Sequence, residues 1–308
     1  MTADSPAGLT VGVLGLHSSK ETKAILNAVE GLGYDAEWLR RENIAVSITD
    51  GELTVEPDID VIANRLLLST STHPADDIGL ARLFDRLYPM LNPPQSVTTA
   101  IHKFATATAL ADAGVPVPDA ILALSSDRLN TGRERFGEQA VYKTAIGTHG
   151  GGAWVVDLAE PVNPRVGDRQ AFLQQYVERD GRPRDTRVYI VDGNHIGSMY
   201  RYAPDGEWRT NVSLGGDVED ATDDLPQQAL DIARRAVDVI GLDYAGVDLI
   251  DADGEWQVLE INPTAGFRGL FKATGRSPAP YIAKLAIERG GGSVDPDRVA
   301  ELAETLDD

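Results

Sequence analysis

The chain has 308 residues, no cysteine, 42% hydrophobic residues and a formal net charge of −20. The missing cysteines exclude disulfides, thiolate metal sites and cysteine nucleophiles; the absence of an apolar run of about 18 residues argues against a membrane span, and the absence of a basic stripe argues against nucleic-acid binding. Lysine is confined to positions 20, 23, 103, 143, 272 and 284 among 48 acidic residues; the expected reading is a halophilic surface whose self-repulsion salt screens, with a dedicated basic partner as the alternative.

The N-terminus MTADSPAGLT has neither a basic nor an apolar region, so no signal peptide and a cytoplasmic location are expected. Residues 9–16 read as a buried parallel strand. Ser18 and Glu21 form a capping-box pattern before a helix with Ala24, Ile25, Ala28, Val29 and Leu32 on one face, stopped at Gly33. Strands over 34–39 and 59–63 complete a small parallel α/β domain. The turn at 15–19 lacks the GxGxxG glycines, so no dinucleotide site is expected. Asn64 and Arg65 follow a strand's C-terminal end, where open α/β sheets bind ligands; a substrate contact and a surface or hinge role both stay open. Helical spacing runs over 75–90, Asn92-Pro93-Pro94 interrupts the chain, and 96–113 is expected as one helix carrying Lys103.

Residues 140–145 and 153–156 are strands joined by Ile146-Gly147-Thr148-His149-Gly150-Gly151-Gly152. A glycine-rich hairpin tip can lie close over a phosphate chain, with backbone N–H groups turned to its oxygens. Lys143, on the strand leading in, is placed to reach a phosphate as a point charge; His149 reads as a solvated loop residue or a substrate contact. Residues 172–177 form a strand; Asp185 and Arg187 precede the strand 188–191, Asp192-Gly193-Asn194 turns the chain, and 196–200 leads into Arg201. Arg209, Thr210 and Asn211 follow Trp208, and 226–240 is an amphipathic helix stopped at Gly241.

Two strands, 245–250 and 256–261, flank Asp251-Ala252-Asp253-Gly254, a hairpin signal. Simple register puts Asp248 opposite Glu260, and Glu260 and Asn262, two apart, share a face. Facing carboxylates repel unless neutralised, and an oxygen-only set suits Mg²⁺ or Mn²⁺ rather than Zn²⁺. With 48 acidic residues such a pair also arises without a metal. A last helix spans 281–288, and Gly290-Gly291-Gly292 opens an acidic tail expected to be poorly ordered.

The order of these pieces — helix lysine, strand lysine with glycine loop, Asp-x-Arg, Arg-x-Asn, then Asp and Glu-x-Asn — resembles the ATP-grasp superfamily. HKFATATALADAGVPVP, VYKTAIGTHGGG, QQYVERDGRPRDTRVYIVDG, WRTNVSLGG and AGVDLI with VLEINPTAGFRG are similar in wording to its RimK-type amino-acid (glutamate) ligases, over residues 60–285. With the charge, the resemblance points to a halophilic archaeal source. It implies an α/β chain of ATP-grasp fold, α+β in its C-terminal part: an N-terminal α/β domain (1–94), a central subdomain with a glycine-rich lid (95–180), a C-terminal subdomain with the metal site (181–292) and an acidic tail (293–308). It implies that Lys103, Lys143, Gly150 and Gly151 meet ATP phosphates, that Gln175, Tyr176 and Val177 line the adenine pocket, and that Asp185 holds the ribose or orders the phosphate end. Arg209 and Asn211 would meet phosphate and substrate. Asp248, Glu260 and Asn262 would bind two Mg²⁺ (or Mn²⁺) ions, with Glu260 bridging them. Arg187 and Arg209 would stabilise transferring charge, and Arg268 would clamp a carboxylate.

The implied activity is ATP-dependent joining of a carboxylate to an amine through an acylphosphate, adding glutamate or a similar amino acid to a protein, cofactor or carrier-protein acceptor. A phosphotransferase and a nucleotide-binding protein without turnover are the alternatives. A homo-oligomer is implied as well. Thr148-His149 departs from the Ser-x-Gly loop tip of relatives, which leaves the loop's substrate contacts open.

Overall fold

The structure is a computed structural model that describes residues 8–147, 152–177, 181–210 and 215–305. The N-terminal part consists of β1 (Thr10–Leu14), α1 (Lys20–Gly31), β2 (Asp35–Leu39), a hairpin of β3 (Ala45–Thr49) and β4 (Glu52–Glu56), β5 (Val61–Asn64), α2 (Pro74–Leu87) and β6 (Met90–Leu91). Strands β2, β1, β5 and β6 form an all-parallel sheet in that order. β1 and β5 are apolar and buried almost throughout, as strands covered on both faces must be.

The middle of the chain contains α3 (Pro94–Ile101), α4 (Lys103–Asp112), β7 (Ala120–Leu122), α5 (Ser126–Gly132), β8 (Gln139–Thr144), β9 (Ala153–Asp157), β10 (Arg165–Val166) and β11 (Arg169–Gln175). Its antiparallel sheet has the order β10-β11-β8-β9, with β7 also on β11. The last part contains β12 (Arg184–Val191), β13 (Asn194–Tyr202), β14 (Asp217–Asp220), α6 (Gln227–Ile240), β15 (Tyr244–Ala252), β16 (Glu255–Asn262), α7 (Arg268–Thr274), α8 (Ala279–Arg289) and α9 (Pro296–Ala303). Here the order is β14-β13-β12-β15-β16, antiparallel throughout.

Helix α6 buries Ala229, Ala233, Ala236, Val237 and Ile240 in one core with Val188, Ile190, Val247 and Leu249 of the third sheet. The spacing is the helical one anticipated from sequence, and Gly241, at φ 73°, supplies the left-handed stop. Helix α8 returns to the first sheet and shares a core with Val11, Val13, Ile25 and Val29. Its buried Ile282, Leu285 and Ile287 contribute about 1.5–3 kcal/mol each by area burial. Asn92, buried at φ 57°, ties the first sheet to the third: its side chain donates to the Tyr244 and Pro263 carbonyls and accepts from the Asp243 and Tyr244 amides. Among the described residues no helix is long and apolar enough to cross a membrane.

Four expectations need correction. The helix expected over 96–113 is two helices. His102 leaves helical geometry (φ −94°, ψ 92°) and pairs with Ile146 as a β-bridge, while the Lys103 amide donates to the Ala145 carbonyl at 2.8 Å. Tertiary pairing thus overrides local propensity and pins the start of α4 to the end of β8. The cap of α1 is Ser19, whose hydroxyl accepts from the Thr22 amide; Ser18 and Glu21 do not form the expected box. The helix expected to run to residue 90 stops at Leu87, because Met90 and Leu91 join the parallel sheet. The tail expected to be poorly ordered carries α9, which buries Val299 and Ala303 and takes a hydrogen bond from the Ser277 amide to the Ala303 carbonyl. The β3–β4 hairpin was not anticipated, although its turn residues Asp50 and Gly51 carry the same signal as the hairpin at 251–254.

Candidate active site

Strands β15 and β16 pair with Asp248 directly opposite Glu260, as the simple register requires, and a bulge follows Asp248. Their turn has Asp253 at φ 55° and Gly254 at φ 91°. On the other side β12 sets Arg187 opposite Asp248, and β13 sets Arg201 opposite Asp185. Alternation along four adjacent strands therefore delivers Glu260, Asp248, Arg187, Asp185 and Arg201 to one face.

These side chains form an alternating chain of charge. Arg187 forks onto Asp248 (Nε to Oδ1 2.6 Å, Nη2 to Oδ2 2.8 Å). Arg201 forks onto Asp185 (2.7 and 2.6 Å) and reaches Asp248 Oδ2 at 2.9 Å. Thr210 donates to Asp185 at 2.6 Å. Asn262 Nδ2 stands 3.2 Å from both Asp248 Oδ2 and Glu260 Oε1. Lys103, placed at the start of α4 by the helix break, meets Glu260 Oε2 at 2.8 Å and the Gly147 carbonyl at 3.1 Å. Burial alone would raise the Glu260 carboxyl, yet Lys103, Lys143 and Arg187 outweigh it and hold it well below the usual carboxylate range. Burial pushes Asp185 up, and Arg201 offsets part of that rise. Arg187 is held above its ordinary value because Asp248 outweighs desolvation.

Lys143 is half-buried on β8 and donates to the Gln174 side-chain oxygen on β11. Burial, aided by Lys103, lowers its ammonium to about 8 against the pull of Glu260. At the base of the glycine loop a Cβ on Gly152 would fall 2.3 Å from Thr144 Oγ1, so the chain requires glycine there. Gly150, Gly151, His149 and Asn211 lie outside the described residues. Gln175 ends β11, and it, Tyr176 and Val177 line the same cavity, where the Tyr176 ring meets Trp208 edge-on at 6.4 Å. Arg209 lines it too and pairs with Glu207, whose carboxyl the Arg209 hydrogen bond lowers to about 2.

Apart from Glu207 and the turn residues Asp253 and Gly254, these described residues line one cavity of about 510 Å³, between the second and third sheets. Its far end is built by Glu21, Leu67 and Ser69 of the N-terminal part and by Thr264, Gly266 and Arg268 after β16. Asn64 and Arg65 are not among its walls. Asn64 donates to the Asn92 carbonyl and its own carbonyl accepts from the Tyr244 hydroxyl, and Arg65 is buried near the Ala265 carbonyl and over the Phe267 ring, so both tie the first sheet to the last part of the chain. Asp185 lines the cavity with its carboxylate engaged by Arg201 and Thr210. Sequence reasoning missed Arg201, Gln174, Trp208 and Glu21 as site residues. Only Arg201 had a visible cue, strand alternation opposite Asp185.

Among the described residues no three His, Asp or Glu side chains are gathered around one point; the candidate cation donors are two carboxylates and an amide. They fit a hard cation. Asn262 stands between the carboxylates, and turning its amide would present a third oxygen to the same place.

A RimK-like ATP-grasp domain model matches residues 100–285. Among curated proteins, the chain is 28% identical over 265 residues to "Beta-citrylglutamate synthase B" of Danio rerio, covering 81% of this chain and 65% of that protein. It is 31% identical over 209 residues to "Tetrahydromethanopterin:alpha-L-glutamate ligase" of Methanocaldococcus jannaschii, covering 65% of this chain and 70% of that one. Among solved structures, that of the ATP-grasp ligase PsnB complexed with minimal precursor, Mg and ADP superposes with a TM-score of 0.69 at 18% identity, over 91% of this chain and 98% of that one.

Proposed function

The chain belongs to the RimK-like ATP-grasp family, and on that premise we propose that it is an ATP-dependent carboxylate–amine ligase that works through an acylphosphate. The observation that carries this reading is the meeting of two lysines from the central part, Lys103 and Lys143, with Asp248, Glu260 and Asn262 of the third sheet across one cavity. A carboxylate oxygen of the acceptor attacks the γ-phosphorus of ATP, the bond to the bridging oxygen breaks, and ADP leaves. The amine nitrogen then attacks the acyl carbon, the C–N bond forms, and phosphate departs with the electron pair of the broken C–O bond. Such phosphoryl transfer asks the protein for positioning and charge neutralisation rather than a nucleophile.

Lys103 and Lys143 hold phosphate oxygens in this reading, Gln175 to Val177 with Trp208 take the adenine, and Arg187 and Arg209 face the transferring charge. Gly150, Gly151 and Asn211 would complete the phosphate contacts. Asp248, Glu260 and Asn262 would hold one or two Mg²⁺ or Mn²⁺ ions, which when bound neutralise phosphate charge. The names of both relatives contain glutamate, which supports glutamate or a similar amino acid as the amine; the acceptor is a protein, a cofactor tail or a carrier protein. A screen of amino acids and carboxylate acceptors at high salt, read by ADP release and product mass, tests this. Release that needs both partners supports it. Release without an amine favours a phosphotransferase, and no turnover with any pair favours a nucleotide-binding protein.

A further inference from the structure

Among the described residues the cavity is lined by four carboxylates, and three of them are matched by cations. Arg201 holds Asp185, Arg187 and Arg201 hold Asp248, and Lys103 holds Glu260. Glu21 is the exception. Among the described residues its one hydrogen bond comes from the Ser19 hydroxyl, 3.1 Å from Oε2. The neighbouring His17 does not supply the missing charge at neutral pH, because burial and Arg65 lower its imidazole. Ser19 rather than Ser18 caps α1, so Glu21 is the second residue of the helix; one carboxylate oxygen takes the cap hydroxyl and the other lies across Gly266. A Cβ at Gly266 would sit 3.1 Å from Glu21 Oε1. Two residues further on, Arg268 lines the same end of the cavity.

A carboxylate that no cation pairs can accept hydrogen bonds from an ammonium, and an arginine lining the same cavity suits a bidentate carboxylate. A ligand with both charges a few ångströms apart satisfies the two residues together. We propose that Glu21 binds the ammonium of the amine substrate and that, with Arg268, it grips a free α-amino acid at both charges. The proposal rests on the ligase reading and names the amine subsite within it. An ammonium has no lone pair, so it must first lose a proton. That proton passes to water, the freed amine attacks the acyl carbon, and the second N–H proton leaves with the phosphate.

Calorimetric titration of the full chain with L-glutamate and with glutarate, which lacks only the ammonium, tests this at saturating Mg²⁺ and a non-hydrolysable ATP analogue. The wild type should bind glutamate at least about tenfold more tightly than glutarate. Glu21→Gln should abolish that preference, and the analogue's affinity should stay within about twofold. Glu21→Ala, which leaves no polar group, should behave alike, and thermal melts check that both variants fold. A preference that survives in both variants, or a wild type that does not prefer glutamate, overturns the assignment of Glu21. A wild type that fails to bind the nucleotide analogue overturns the ligase reading instead, and the amine subsite falls with it.

Discussion

The two ends of the cavity are built on opposite principles. At the phosphate end every described carboxylate is matched, and the side chains stand on adjacent strands of one sheet or on elements pinned to it. At the far end an unmatched carboxylate and an arginine come from regions more than 200 residues apart, on α1 and at the start of α7. A closed charge network keeps its geometry without a ligand; an open one is completed by its ligand. On the proposed ligase reading, the matched end is the fixed part that takes the phosphates, and the far end would choose the substrates.

The largest effect should come from the fixed end. Glu260→Gln should lower ADP release on the order of 100-fold or more while circular dichroism stays native, because it removes charge from the candidate cation site and the partner of Lys103. An unchanged rate would break the assignment of this end. Next comes Arg201→Ala, which leaves Asp185 and Asp248 sharing less positive charge in a buried place. Removing one partner of a buried pair costs about 3–5 kcal/mol, so the melting temperature should drop by several degrees, whereas Glu21→Gln should leave it nearly unmoved.

Lys143→Ala should weaken nucleotide binding about tenfold, read by titration with ADP. Its pH dependence has a defined sign. The Lys143 ammonium loses its proton near pH 8 in the folded chain, against 10.5 in the unfolded one. The cost of burying the charge is present below pH 8 and is relieved as pH rises toward 10.5, so this group adds stability over that window. Over the same rise the phosphate-binding charge disappears, so nucleotide affinity should fall as pH passes about 8 in the wild type and not in Lys143→Ala. The smallest effect belongs to neither end: truncation after Gly292 removes α9 with buried Val299, and should cost about 2 kcal/mol without changing turnover.

The same contrast explains what the sequence revealed. The hairpin of Asp248 and Glu260 was legible because turn chemistry and strand alternation are local, and its register followed from them. Lys143 was legible for the same reason. Lys103 was assigned correctly to a helix, but the break that aims it depends on His102 pairing with Ile146, 44 residues away. Arg201 was open to reading only through the alternation that sets it opposite Asp185, a pairing that needs β12 and β13 taken together. Glu21 was hidden by a local pattern: Ser18 and Glu21 spell a capping box, and the helix starts one residue later. Parallel strands β1 and β5 were legible from their apolar runs, whereas the packing of α8 and α9 on the first sheet joins the two ends of the chain and leaves no local trace.

The central claim is an acylphosphate formed at the matched end and consumed at the open one. Hydroxylamine intercepts such an intermediate as a hydroxamate. Incubated with ATP, Mg²⁺, a stimulating carboxylate acceptor and hydroxylamine in place of the amino acid, the protein should release ADP and hydroxamate in equal amounts, and Glu260→Gln should release neither. Release of AMP, or ADP release with no hydroxamate, would contradict the account.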